Sequence, residues 1–210
     1  MFAGIRWFIE GLFPPRCIIS SKEGSFLAPE YQKFPPPPEN KACFQYVDQI
    51  YAATSYHHPV VEKVVVSFKF QGLKDLAPIM ALSMNNLKIH KSANTIIPIP
   101  LHWTRLFWRG FNQAQVLAQA IQKENPEWKI NLDLRRPKRT RQQAKLGKED
   151  RFKNLKGAFQ WCGKALPPEK ILLIDDVVAT GSTIDEAARV LKIAGAKEVI
   201  ALVFARGGGQ

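Results

Sequence analysis

The chain has 210 residues, 46% hydrophobic and 23% charged, with a formal charge of +12. That is enough for one enzyme-sized globular core, and too hydrophobic for a disordered chain. Three cysteines, Cys17, Cys43 and Cys162, are too few and too scattered for a disulfide-stapled scaffold, so a reducing cytoplasm is the expected compartment.

Met1 to Phe13 carries Phe2, Ile5, Phe8, Ile9 and Leu12 at helical spacing, interrupted by Arg6 and Glu10. It reads as a short amphipathic helix packed on the rest of the protein. It is neither a signal-peptide core nor a membrane span. Seven of the fifteen prolines fall in the first forty residues, with Pro35 to Pro38 as a stiff extended spacer, so residues 1–50 read as an appendage to a domain over 51–210. From Val60 onward strands and helices alternate. Val61 to Phe70 is a strand or helix start, Asp75 to Met84 a helix, Thr95 to Pro100 a strand, and Phe111 to Glu124 a helix capped by Asn112. Lys170 to Asp175 and Glu198 to Ala205 are strands flanking a helix over Ile184 to Ala194. The expectation is an α/β fold with a mostly parallel twisted sheet flanked by helices.

Arg105 and Arg109 lie in the stretch after the Thr95 strand, which reads as a loop. Loops beyond the carboxyl ends of parallel strands line the ligand crevice, so both arginines are candidates to reach a ligand. Between Arg135 and Lys156 stand ten Lys or Arg against Glu149 and Asp150, a net +8 of the chain's +12. Such a block suits polyanions, whether nucleic acid or a pyrophosphate, and Phe152, Phe159 and Trp161 are available to stack on single-stranded bases.

The richest segment is Ile171 to Thr183. Four apolar residues indicate a strand buried on both faces, and the carboxylates Asp175 and Asp176 follow. Ala179, Thr180, Gly181, Ser182 and Thr183 then form a turn into a helix. Ser182 and Thr183 can cap that helix, Thr183 with Glu186 having capping-box spacing. Free N–H groups, the helix dipole and the hydroxyls of Thr180, Ser182 and Thr183 make an anion the natural guest. The paired acids require vicinal hydroxyls or a magnesium ion bound to them, since bare carboxylates repel a phosphate. A nucleotide P-loop is excluded because Ser, not Lys, follows Gly181. A phosphoacceptor receiver domain is excluded because only 34 residues follow Asp176.

Asp175 to Thr183 resembles the phosphoribosyl pyrophosphate (PRPP) signature of type I phosphoribosyltransferases. In that family the acids hold the ribose 2- and 3-hydroxyls and the Thr-Gly-Ser-Thr loop holds the 5-phosphate. Nearly the whole chain resembles one branch, the ComF family, linked to bacterial DNA uptake. The shared marks are Leu12-Phe13-Pro14 with Cys17, Lys69 with Gly72, Pro98-Ile99-Pro100, Arg109 to Gln113, Gln143 with Leu146, Arg151 with Asn154, and Gly157-Ala158-Phe159.

The resemblance implies a pentosyl-group transferase that takes Mg²⁺-PRPP and a nitrogen acceptor. Arg105 or Arg109 would lie near pyrophosphate, and a flexible loop over 135–156 would bring Arg139, Arg141 and Lys145 to the leaving group. Asp175 and Asp176 would meet magnesium through the ribose hydroxyls. Two further readings are a non-catalytic PRPP sensor or single-stranded-DNA binder of the competence machinery, and an appendage that recruits a helicase or recombination protein. The four-cysteine zinc module common in the family is incomplete, because Cys17-Ile-Ile-Ser20 stands where Cys-x-x-Cys is expected. No zinc is expected in that metal-free remnant.

Overall fold

The structure, a computed structural model, describes residues 15–37, 44–87, 94–138 and 155–207. The Met1 to Phe13 helix, Cys43, and the loop residues Arg139, Arg141 and Lys145 lie outside them. In chain order the elements begin with β1 (Gln49–Ser55), α1 (Pro59–Phe70), α2 (Ala77–Asn85) and β2 (Thr95–Pro98). Next come α3 (Trp103–Arg109), α4 (Gln113–Glu124), β3 (Lys129–Ile130), β4 (Leu134–Arg135) and β5 (Gln160–Trp161). The series closes with β6 (Lys170–Val178), α5 (Ser182–Ala194) and β7 (Glu198–Arg206).

Five strands form a sheet in the order β1-β7-β6-β2-β3, every pair parallel, while β4 and β5 make a separate antiparallel pair. This is the expected α/β architecture. Successive side chains of a strand point to opposite faces. Leu172 and Ile174 of β6 accordingly join Ile200, Leu202 and Phe204 of β7 in one core, packed under α1, α2 and α4. Ile171 and Leu173 join Val199, Ala201 and Val203 in the other, under α5 and the segment Leu155 to Phe159. Burial on both faces is why these strands are continuous apolar runs without alternation.

One element left open by the sequence is decided by the structure, and two others differ from expectation. Val61 to Phe70 is helical despite its valines, because Pro59 sits in the first turn and Val61, Val64, Val65 and Phe68 all fall on one buried face. The stretch holding both arginines is a helix, not a loop. His102 caps it by accepting from Thr104 N, and Gly110, left-handed at φ 78°, ends it. None of its residues is buried, so no apolar stripe announces it. Finally, edge strand β1 begins at Gln49, so the sheet takes in residues on the appendage side of the boundary drawn at 50.

Residues 15–37 pack directly on the sheet domain. Leu27 is fully buried in the core under α1, the Phe34 ring meets Phe204 edge-on at 5.1 Å, and Thr54 Oγ1 donates to the Pro35 carbonyl at 2.7 Å. Cys17 is buried with a free thiol, held about 7 despite its burial by bonds from Ser20 and the Ala28 amide.

Candidate functional site

Strands β2, β6 and β7 all run toward one edge of the sheet, and the chemistry collects there. β2 leaves the sheet after Pro98, opposite Ile174, so the last four residues of β6 continue past it beside an opening. Asp175 and Asp176 lie in that overhang. Each carboxylate turns toward the strand end: Asp175 Oδ1 accepts from Asp176 N at 2.9 Å, and Asp176 Oδ1 from Val177 N at 2.8 Å.

Past Val178 the chain turns through Ala179, Thr180 and Gly181 into α5. Gly181 is the N-cap, at φ 81°. The capping box expected at Thr183 and Glu186 is therefore not formed. With a left-handed glycine at the cap, Ser182 and Thr183 already lie inside the helix. Glu186 instead accepts from the Gly157 amide at 2.7 Å and pairs with Arg189 at 2.8 Å, tying the Leu155 to Phe159 segment to α5. Thr180 Oγ1 and Ser182 Oγ, spared from capping, stand 3.1 Å apart across the turn. The loop is buttressed from two sides. Gly207 N donates to Val178 O, and Asp185 Oδ1 gathers the amides of Gln45, Tyr46 and Val47 at 2.8–3.3 Å. That second anchor lays the Phe44 ring against Gly181.

Gly181→Ala is expected to cost about 1–3 kcal/mol in denaturant melts, because the positive φ strains any side chain and a Cβ there collides with the Phe44 ring. Adding Phe44→Ala should relieve the collision and leave the backbone strain.

Three cations face the acid pair, and Arg105 stands near two of them. Lys69, in the last turn of α1, places Nζ 2.8 Å from Asp176 Oδ2. Arg109 donates to Gln113 Oε1 at 2.6 Å and lies 5.2 Å over the Phe70 ring; burial lowers its pKa, and the charges of Asp176 and Asp175 oppose that. Arg105 is lowered by burial and by repulsion from Arg109. Arg136, buried and 5.1 Å over Phe159, is lowered to about 10 by desolvation, with Arg105 adding repulsion and Asp175 opposing. Of the two arginines singled out in the sequence, Arg109 thus feels both acids, while Arg105 feels Arg109 and Arg136.

Sequence reasoning did not select Lys69 or Arg136. The first entered only as a family mark, being 107 positions from its partner, and the second only as one charge in the basic block. No spacing signal links either to the acids.

Desolvation, then the Asp176 charge beside it, push the Asp175 carboxyl up to about 8, against the pull of Lys69. A raised carboxyl stabilises the fold most below its unfolded pKa near 4, and that contribution is lost as pH rises to about 8. Without ligand, the melting temperature should fall across that window. Asp175→Asn should flatten the slope, and an unchanged slope would contradict the assignment.

This arrangement pairs an anion-binding helix start with a carboxylate pair and a ring of cations, equipment for a phosphorylated, hydroxyl-bearing ligand with a second anionic group. A phosphoribosyl transferase domain family matches residues 164–210, which include the acid pair and the loop. The chain is 34% identical over 145 residues to Competence protein F of Haemophilus influenzae, covering 65% of this chain and 63% of that protein. It is 30% identical over 158 residues to Competence protein ComFC of Streptococcus pneumoniae, covering 75% and 68%.

The chain belongs to the ComF family.

A third ComF relative, DNA utilization protein YhgH of Escherichia coli K12, is 30% identical over 152 residues, covering 67% of the chain and 65% of that protein. The matches thus span about two thirds of these relatives' length. Of the shared marks, Lys69, Arg109 and the acid pair with its loop lie at the strand end just described, whereas Leu12 to Pro14, Gln143, Leu146, Arg151 and Asn154 lie outside the described residues.

Among the described residues no helix is long and apolar enough to cross a membrane, and no three His, Cys, Asp or Glu side chains are grouped to hold a metal ion. The acid pair still has the oxygen-donor chemistry that magnesium takes. Mg²⁺ prefers one or two carboxylates with water and substrate oxygens over an all-protein cage, and the hard oxygens of Asp175 and Asp176 are of that kind.

Proposed function

We propose that this ComF protein binds Mg²⁺-PRPP and transfers its phosphoribosyl group to a nitrogen nucleophile, acting in the cytoplasm in the handling of imported DNA. The observation that carries this reading is the adjacency of the Gly181 helix start and the acid pair on one strand end, faced by Lys69, Arg109 and Arg136, with Arg105 beside the two arginines. On this reading the amides and hydroxyls of residues Ala179 to Thr183 hold the 5-phosphate, and the acid pair orients the ribose diol. Arg105 and Arg109 face the pyrophosphate. Magnesium, held by Asp175 and Asp176 through the ribose hydroxyls, would supply charge neutralisation to the leaving pyrophosphate.

Breaking the C1–oxygen bond leaves positive charge on the sugar and negative charge on pyrophosphate, so fixed cations on the leaving side lower the barrier. The basic loop, with Arg139, Arg141 and Lys145, adds charge there and excludes water. The test is pyrophosphate release from Mg²⁺-PRPP in the presence of a panel of amine and heterocyclic acceptors. Acceptor-dependent release supports transfer. Tight PRPP binding with no release for any acceptor would reduce the protein to a PRPP sensor.

A second reading, binding of single-stranded DNA, is favoured by α3. Trp103, Phe107 and Trp108 are 69%, 78% and 86% exposed and alternate with Arg105 and Arg109, and Phe70 adds a fourth exposed ring. Stacking rings among cations suit bases on a charged backbone. Oligo-dT titrations should quench tryptophan fluorescence with a salt-dependent affinity, and a Trp103→Ala/Trp108→Ala variant should lose most of that affinity. Equal affinity in the variant would remove α3 from the interface. Recruitment of a recombination partner by the first fifty residues stays a third proposal, tested by deleting them.

A further inference from the structure

The two acids of the signature read as equals in the sequence, but a strand does not treat neighbours alike. Asp175 continues the Ile171 and Leu173 face, toward α5 and the phosphate loop. Asp176 continues the Leu172 and Ile174 face, toward α1. There α1 delivers Lys69, whose Phe68 neighbour is fully buried and whose own side chain is 20% exposed. Lys69 Nζ takes Asp176 Oδ2 at 2.8 Å, while Asp176 Oδ1 takes the Val177 amide, so both oxygens of this 2% exposed carboxylate are engaged within the protein. Among the described residues Asp175 makes no such ion pair.

We infer that Lys69 is a positioning residue that divides the labour of the acid pair: it holds Asp176 turned inward as a neutralised anchor and leaves Asp175 as the carboxylate that takes the ribose diol. The inference rests on the PRPP reading of the site and narrows its direct diol contact from both acids to Asp175. Two bare carboxylates side by side would repel a ligand carrying a phosphate and a pyrophosphate. Pairing one with an internal ammonium removes its charge from the side shown to the ligand, and fixes the strand end from which Asp175 projects. Lys69 acts through Asp176 and need not touch the ligand.

The test is a double-mutant cycle on full-length protein with Lys69→Met, Asp176→Asn and the pair together, read both as Mg²⁺-PRPP dissociation constant and as melting temperature. Each single change should weaken PRPP by about tenfold or more, and the double variant should be little worse than the poorer single one, because both remove the same anchor. Lys69→Arg should restore most of the affinity. Asp175→Asn should weaken PRPP well beyond either.

Additive losses in the cycle, or a Lys69→Met variant that binds PRPP normally while Asp176→Asn matches Asp175→Asn, would overturn the inference by placing Asp176 on the ligand itself. If the parent protein binds no PRPP, the functional reading falls. The thermal cycle still decides the pairing: coupled melting losses uphold Lys69 as the anchor of Asp176, and additive ones overturn it.

Discussion

Asp175→Asn is expected to weaken Mg²⁺-PRPP binding by roughly 100-fold, since two charge-assisted hydrogen bonds to the ribose hydroxyls are each worth about 1.5 kcal/mol. The fold should survive. Asparagine has nearly the same shape, can still accept from Asp176 N, and removes a like charge from beside Asp176, so the variant should melt no lower than the parent at pH 8. Replacing both acids should abolish binding, at a cost in stability, because Lys69 then loses its partner. Calorimetry on each folded variant checks this. Unchanged affinity for Asp175→Asn in a folded protein would remove that carboxylate from the ribose.

A triple change of Arg139, Arg141 and Lys145 to Ala should slow pyrophosphate release by about 100-fold or more while PRPP affinity changes far less. Their contact is made mainly as the leaving group departs, and interactions made only in the transition state lower kcat without a matching loss of binding. The same variant should lose up to about 0.7 in the slope of log K against log salt for single-stranded DNA per phosphate contact removed. A variant that keeps both its turnover and its salt slope would leave the basic block as solvated charge, with the functional argument resting on the acid pair and Gly181 loop alone.

Much of the fold was legible because its signals are local. The apolar runs at Ile171 and Val199 are what strands buried on two faces look like, and Asn112 caps α4 by accepting from Ala114 N, as its position suggested. The phosphate loop was legible for the same reason: strand, turn and helix start are contiguous.

The misses share a different cause. Helix α3 has no fully buried residue, and its half-buried ones are Thr104, Arg105 and Arg109, so apolar periodicity, which reports burial, is silent there. Glu186 has the spacing of a capping box but serves the Gly157 amide, 29 residues away, a competition no local pattern reveals. The partnership of Lys69 with Asp176 is tertiary in the same sense, since it depends on the last turn of α1 packing near the end of β6.

The most direct test of the account is calorimetric titration of the purified protein with PRPP, with and without magnesium. One PRPP per chain, bound more tightly with magnesium and competed by ribose 5-phosphate, is the predicted result. No measurable binding under either condition, in a protein that melts cooperatively, would contradict it.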